Sequence, residues 1–340
     1  MKKLNLPILA ALIAFFLSCS KGENLKFKSS FDQFTTEINI TLFDVSPSDS
    51  LRAHKTLEKI SDIFSYFDRV MNPYNEKSSI SKFNSVPAGS KVPIPDDLKE
   101  IFDISKNIHE YTDGSFDVAI MPLADLWNES IKNSETVPKG SAIEEVLQIS
   151  NLDMYIFDED SVTVLDNRCK IGLGGIAKGF AVDSVSNYLK EEGFSDFIIE
   201  AGGDLTVNSN SPRAVGVKHP RKKGELADVL YIKKGSAATS GDYEKFIMHN
   251  GTRYSHIIDP RTGYGTSDLA AVTVVSDKAY LSDAFATAVM VMGKKEGAVL
   301  IRDNDLSGII YFENNRGGIE KEYINIDKYL HSEPEAENER

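Results

Sequence analysis

The chain has 340 residues, with 38 lysines and arginines against 51 aspartates and glutamates, for a formal net charge of −13. Hydrophobic residues make up 41% and charged residues 26%, a globular balance that excludes wholesale disorder and allows one large domain or two ordinary ones. The acidity argues against a broad nucleic-acid surface or a polybasic membrane face, and two cysteines are too few for a disulfide scaffold or a cysteine-rich zinc module.

Lys2 and Lys3 precede an apolar run, Leu4 to Leu17, that ends in Ser18-Cys19-Ser20; these are the parts of a secretory signal. The run is shorter than the roughly 20 apolar residues that span a bilayer. Phe16-Leu17-Ser18-Cys19 resembles the lipobox of bacterial lipoproteins, with Cys19 lipidated at the new N-terminus. An ordinary signal peptide with a chance cysteine is the alternative. The chain then divides into a signal peptide at 1–18, a lipid-anchored tether at 19–26, a globular domain at 27–330 and an acidic tail at 331–340.

Within the domain, Ile38, Ile40 and Leu42 alternate with polar residues as in a half-buried strand. Asp49 or Ser50 can cap a helix that buries Leu57, Ile60, Ile63, Phe64, Phe67 and Val70 on one stripe. A second helix is expected after Pro95, with Asp96 and Asp97 in its first turn and an end at Asp113-Gly114. Short strands follow at Met154–Phe157, Val162–Leu165, Phe197–Glu200, Ala214–Val217 and Val229–Ile232. Cys169 to Leu173 reads as another, with Cys169 a core residue rather than a nucleophile. A helix runs from Ala177 to about Glu192, closed by Gly193. A strand at Val272–Val275 precedes a helix from about Leu281 to Met292. This mixture without strict alternation indicates one compact α+β domain of mixed β-sheets with flanking helices.

Five blocks concentrate chemistry. Gly172-Leu173-Gly174-Gly175-Ile176-Ala177-Lys178-Gly179 lies between strand and helix, where glycines admit a close ligand and a helix N-terminus favours an anion. It has neither the dinucleotide nor the P-loop spacing. Ala201-Gly202-Gly203-Asp204 and Ala238-Thr239-Ser240-Gly241-Asp242-Tyr243 follow, then the turn-rich His256-Ile257-Ile258-Asp259-Pro260-Arg261-Thr262-Gly263. In Ser282-Asp283-Ala284-Phe285-Ala286-Thr287, Asp283 and Thr287 are four apart, so a carboxylate and a hydroxyl share one helix face. Such a pair suits Mg²⁺, or is a helix-start aspartate beside a surface hydroxyl. His54, His109, His219, His249 and His331 have no ligand spacing among them, which argues against zinc. His256 alone sits in a motif.

Taken in order, these blocks resemble the ApbE family, the FAD:protein FMN transferases of the bacterial cell envelope, over about residues 31–327. Asn72-Pro73-Tyr74, the Ser78–Asn84 stretch, Gly114-Ser115-Phe116-Asp117 and Leu126-Trp127 also resemble family blocks. Phe34-Thr35-Thr36 stands where Met-Gly-Thr is usual, Gly172 replaces an aspartate and Phe180 a tyrosine. The resemblance implies one Mg²⁺ held by the Ala177 carbonyl and the Asp283 and Thr287 side chains. It also implies FAD along Phe34, Tyr74, Ser115, Phe116, Asp117, Gly174, Lys178, Phe180 and Ile257. The expected reaction moves FMN from FAD to a threonine or serine hydroxyl of a target flavoprotein, with AMP leaving. His256 either assists the acceptor proton, with Asp283 the other catalytic residue, or fixes the Asp259-Pro260 turn. The implied partners are flavin-accepting subunits of membrane redox complexes, of the sodium-pumping NADH:quinone reductase or Rnf type, met at the periplasmic face. An FAD pyrophosphatase and a flavin-carrying lipoprotein without turnover are the alternatives.

Overall fold

The computed structural model describes residues 24–133 and 136–331. The signal peptide, Cys19 and residues 332–340 lie outside the described residues. β1 (Leu25–Gln33) and β2 (Thr36–Val45) form a hairpin in which Leu25 already pairs with Val45, so strand structure begins inside the stretch expected as tether. α1 (Ser50–Met71) has Asp49 at its N-cap and buries Leu57, Ile60, Phe64 and Val70. α2 (Ser79–Phe83), β3 (Lys91–Pro93) and α3 (Lys99–Tyr111) follow. Asp96 and Asp97 lie in the turn before α3 instead of in its first turn. There Asp97 accepts from Ser79 Oγ and Asp96 pairs with Lys99 at 3.3 Å, so both carboxylates serve the turn.

α4 (Met121–Asn133) and α5 (Gly140–Leu147) precede β4 (Tyr155–Phe157) and β5 (Ser161–Val164). The strand expected at Cys169–Leu173 does not form. Cys169, Ile171 and Leu173 are buried, but the Asn84 side-chain amide takes both backbone groups of Ile171, and Gly172 N donates to Val118 O at 2.7 Å. A segment so engaged has no backbone left for a ladder. α6 (Ala177–Glu191) ends as expected: Gly193 has φ 83°, and Phe194 N donates to Leu189 O at 2.9 Å.

β6 (Phe197–Ala201), β7 (Asp204–Lys218) and β8 (Leu226–Gly241) come next, then the hairpin of β9 (Phe246–His249) and β10 (Thr252–Ser255), and β11 (Ala271–Ser276). α7 (Ala279–Asp303) is interrupted at Gly293, whose φ of 77° and ψ of −176° only glycine tolerates. β12 (Ser307–Glu313) and β13 (Ile319–Ile324) are the last strands of the described residues.

Eight strands make one antiparallel sheet in the order β1-β2-β6-β7-β8-β11-β12-β13, and β3, β5 and β4 make a small second one. On one face of the large sheet, Ile38, Ile40 and Leu42 of β2 pack with Ile60 and Phe64 of α1 and Val185 and Leu189 of α6. Val272 and Val274 of β11 continue this face against Ala284, Ala288 and Val289 of α7. β11 is buried along its whole length, because Ala271 and Val275 face the other layer with Ile309 and Ile326. Gly179 fixes how α6 and α7 meet: a Cβ there would sit 2.5 Å from the Ala279 carbonyl oxygen and 2.6 Å from Tyr280 Cα. The two helix N-termini therefore come together over the sheet.

Candidate active site

At that meeting point α6 presents Lys178 and α7 presents Asp283. Lys178 Nζ lies 3.1 Å from Asp204 Oδ2, at the start of β7, and 3.6 Å from Asp283 Oδ2. Gly179 N donates to Asp283 Oδ2 at 3.3 Å. Both carboxylates are nearly inaccessible, at 3% and 4% exposure for Asp204 and Asp283. Burial first, and then the Asp283 charge, push the Asp204 carboxyl well above its ordinary range, against the pull of Lys178. Burial would lower the Lys178 ammonium, but Asp204 and Asp283 together hold it raised. One cation thus faces two buried acids, and the raised Asp204 carboxyl favours its protonated form beside the Lys178–Asp283 pair.

One turn along α7, Thr287 Oγ1 lies 3.3 Å from Ser240 Oγ at the end of β8. Ala177, Asp283 and Thr287 line the same cavity. A carbonyl, a carboxylate and a hydroxyl are all hard oxygen donors, the set Mg²⁺ prefers. Asp204 Oδ2 is buried and its close partner among the described residues is the Lys178 ammonium at 3.1 Å, so this acid is engaged by Lys178 and the oxygens facing the cavity are those of Ala177, Asp283 and Thr287. By the chemistry of this donor set the residues fit a divalent cation. Among the described residues no group of three His, Cys, Asp or Glu converges, so such an ion would need oxygens from a phosphorylated substrate to fill its shell.

The cavity holds about 670 Å³, within the range of roughly 300–1,000 Å³ typical of cofactor sites. Phe34, Tyr74, Ser115, Phe116, Asp117, Gly174, Lys178, His256 and Ile257 all line it. Phe34 and Thr35 turn the β1–β2 hairpin with φ of 51° and 59°, an unusual conformation for non-glycine residues, and this turn sets the Phe34 ring on the rim. Tyr74 is 71% exposed there. Ser115 Oγ is buried and unpartnered among the described residues, open to a ligand. Asp117 is occupied within the protein: its carboxylate accepts from Ala119 N at 2.7 Å and Leu152 N at 3.0 Å, and burial raises it to about 6 despite those bonds. Phe180 does not line the cavity but packs edge-on against Phe67, with centroids 5.6 Å apart. His256 Nδ1 faces Lys245 O at 3.2 Å. A carbonyl accepts only, so Nδ1 carries the proton and Nε2 is the basic nitrogen. Burial lowers the His256 pKa from 6.5.

The sequence pattern of the ApbE family matches residues 34–310, which takes in every cavity residue named above. The chain belongs to the ApbE family. It is similar to the FAD:protein FMN transferase of Haemophilus influenzae, at 25% identity over 334 residues that cover 94% of this chain and 96% of the relative. Its fold is that of the Pseudomonas stutzeri flavinyl transferase ApbE in apo form, with a TM-score of 0.81 at 24% identity over 92% of this chain and 99% of that one. The ApbE protein of Thermotoga maritima is 30% identical with a TM-score of 0.77, over 87% of this chain and 97% of that one. Membership places the chain among enzymes of the flavin-transferase class.

Two acids of this ApbE site, Asp204 and Glu244, carry no assigned role in the sequence reading, although Asp204 stands in one of its blocks. Asp204 was legible as the acid after Gly202-Gly203, where a Cβ on Gly202 would fall 2.5 Å from Thr36 Oγ1 and force the turn open. Glu244, which also lines the cavity, follows the Gly241-Asp242-Tyr243 block without any pattern of its own. At Gly172 a Cβ would meet Met121 Cβ at 3.2 Å, so Met121 fills space beside the residue where the family usually has aspartate.

Proposed function

We propose that the protein transfers FMN from FAD to a threonine or serine hydroxyl of a partner flavoprotein and releases AMP. The observation that carries this reading is the convergence on one cavity of a hard-oxygen set, a lysine and a histidine with a defined basic nitrogen. Ala177 O, Asp283 and Thr287 would hold Mg²⁺, which supplies charge neutralisation at the pyrophosphate as one P–O bond breaks and another forms. Lys178, already between two acids, adds positive charge beside the phosphates. Phe34 and Tyr74 offer aromatic faces at the rim for the flavin ring. His256 Nε2 takes the acceptor proton as the hydroxyl oxygen bonds to the flavin-side phosphorus, and the AMP phosphate leaves with the electron pair of the broken bond.

The partners are flavin-carrying subunits of membrane redox complexes, of the Rnf or sodium-pumping NADH:quinone reductase type, reached from a lipid anchor on Cys19 at the periplasmic face. Among the described residues no helix is long and apolar enough to cross a membrane, so the lipid would be the means of attachment. The test is to incubate the domain with FAD, Mg²⁺ and such a subunit, and to follow AMP, free FMN and protein-bound flavin. Bound flavin equal to AMP supports transfer. Free FMN equal to AMP whatever the acceptor makes the protein a pyrophosphatase, and FAD bound without AMP makes it a carrier.

A further inference from the structure

The β9–β10 hairpin is a two-stranded unit apart from the large sheet. His256 N donates to Lys245 O at 3.0 Å, and Ile247 and His249 stand opposite Tyr254 and Thr252. Residues 245, 247 and 249 therefore turn their backbone groups toward β10, and Phe246 and Met248 turn theirs away. The β10 flank is covered, since Ser255 N donates to Thr266 O at 3.0 Å. On the β9 flank, no second strand pairs with β9 and no turn or loop backbone hydrogen bond reaches Phe246 or Met248 among the described residues. Their side chains are 37% and 52% exposed, while Ile247 between them is buried beside Leu123 and Trp127 and anchors the strand. The Arg253 guanidinium lies over the Phe246 ring at 3.9 Å and fixes its orientation.

This edge is continuous with the cavity. Glu244 and Lys245 line the cavity immediately before Phe246, and His256 lines it from the other side of the Lys245 pairing. From Lys245 to Ile258 there is no aspartate or glutamate, on a chain of net charge −13, so a segment bearing acids meets no like charge along the edge. We propose that the free edge of β9 is the docking surface for the flavin-accepting protein, which adds an extended segment as a third strand and so delivers its hydroxyl to His256. The inference rests on the transfer reading above. Strand addition derives affinity from main-chain hydrogen bonds and selectivity from alternate side chains, and here Phe246 and Met248 supply the apolar contacts. A second copy of this chain is the competing occupant, but β9 has 4 residues, of which two face outward, a short edge for self-association.

The experiment follows amide hydrogen exchange in the FAD-loaded mature protein, with and without the soluble domain of a flavin-carrying redox subunit that bears its acceptor threonine. Exchange at Phe246 and Met248 is expected to slow by about tenfold on addition. Met248→Pro removes only an outward N–H, which an edge strand tolerates, and should raise the acceptor KM by about tenfold with FAD affinity unchanged. Met248→Ala keeps that N–H, needs no backbone change and should raise KM less. Unchanged exchange at both amides overturns the proposal, as does slow exchange in the protein alone that disappears on dilution, which would assign the edge to a second copy. Protection without any flavin transfer would leave the docking surface standing and overturn the transfer reading instead.

Discussion

Lys178 holds one positive charge between two buried carboxyl groups, and this arrangement governs what single substitutions do. Asp283→Ala removes the only charged member of the oxygen set and also relieves Asp204 of its like-charged neighbour. Mg²⁺-dependent turnover is therefore expected to fall by about 100-fold or more, with the urea midpoint unchanged or raised. Turnover titrated with Mg²⁺ and a parallel unfolding curve check both halves, and AMP release by the unaltered protein that ignores a chelator would sink the metal assignment. His256 gives a second expectation with a defined sign. Burial lowers its pKa from 6.5, so the imidazole is neutral and basic at pH 7, and its competence is lost as pH falls through that lowered value. The acceptor kcat/KM should be level above pH 7 with an acid limb below 6.5. His256→Asn should remove the limb and slow transfer while FAD affinity holds. An unmoved limb would assign the titration to another group and leave His256 a turn-fixing role.

Glycine substitutions separate how elements are joined from how the cavity is shaped. Gly179→Ala drives a methyl into the Ala279 carbonyl, and no flexible side chain is available to yield. The variant should lose about 1–3 kcal/mol of stability and bind FAD more weakly, because the helix starts that carry Lys178 and Asp283 must separate. Gly174→Ala meets nothing within 4 Å, but that open space is the cavity. Stability should be retained while FAD affinity falls; urea unfolding and an FAD titration of the two variants would show whether these effects divide. Element legibility follows similar physics. α1 was readable because one apolar stripe faces the core, and α6 because Gly193 marks its end with a φ of 83°. α7 was readable only to Met292, since Gly293 breaks the period. β7 and β8 showed as short pieces because their register shifts between Asn208 and Arg213 and interrupts the alternation. Cys169 to Leu173 alternates like a strand, yet its backbone partners are a side-chain amide and a distant carbonyl, which no local pattern announces.

At the scale of the whole molecule, the site draws on the β1–β2 turn, α6, β7, β8, the β9–β10 hairpin and α7, so no single segment displays it. The i, i+4 pair Asp283 and Thr287 was legible, as was His256, because each lies within one block; the Lys178–Asp204 contact joins blocks and was not. A net charge of −13 disfavours electrostatic attachment to an anionic membrane, so in the lipoprotein reading lipid would supply the burial that attachment needs. Cys19→Ala should move the protein to the soluble fraction, and retention after a salt wash would refute the anchor. Assembly from many segments also bears on how water is managed. Water at roughly 55 M competes with an acceptor hydroxyl for the same phosphorus, so transfer requires a bound acceptor whose effective concentration exceeds that and whose presence displaces solvent. The cavity is lined by the exposed Tyr74 and by Lys245 and His256, which flank the β9–β10 hairpin. If the acceptor covers this side, then with FAD alone His256 Nε2 would have only water to deprotonate. AMP release from FAD alone should therefore be slow, and a threonine-bearing acceptor should accelerate it by about 100-fold, with flavin fluorescence becoming covalent to the acceptor at the same rate. Replacing that threonine by alanine in the acceptor should return AMP release to the slow rate even though the acceptor still binds. Equal AMP rates with the threonine and alanine acceptors would mean that water is the nucleophile, and that covering this side does not steer the reaction.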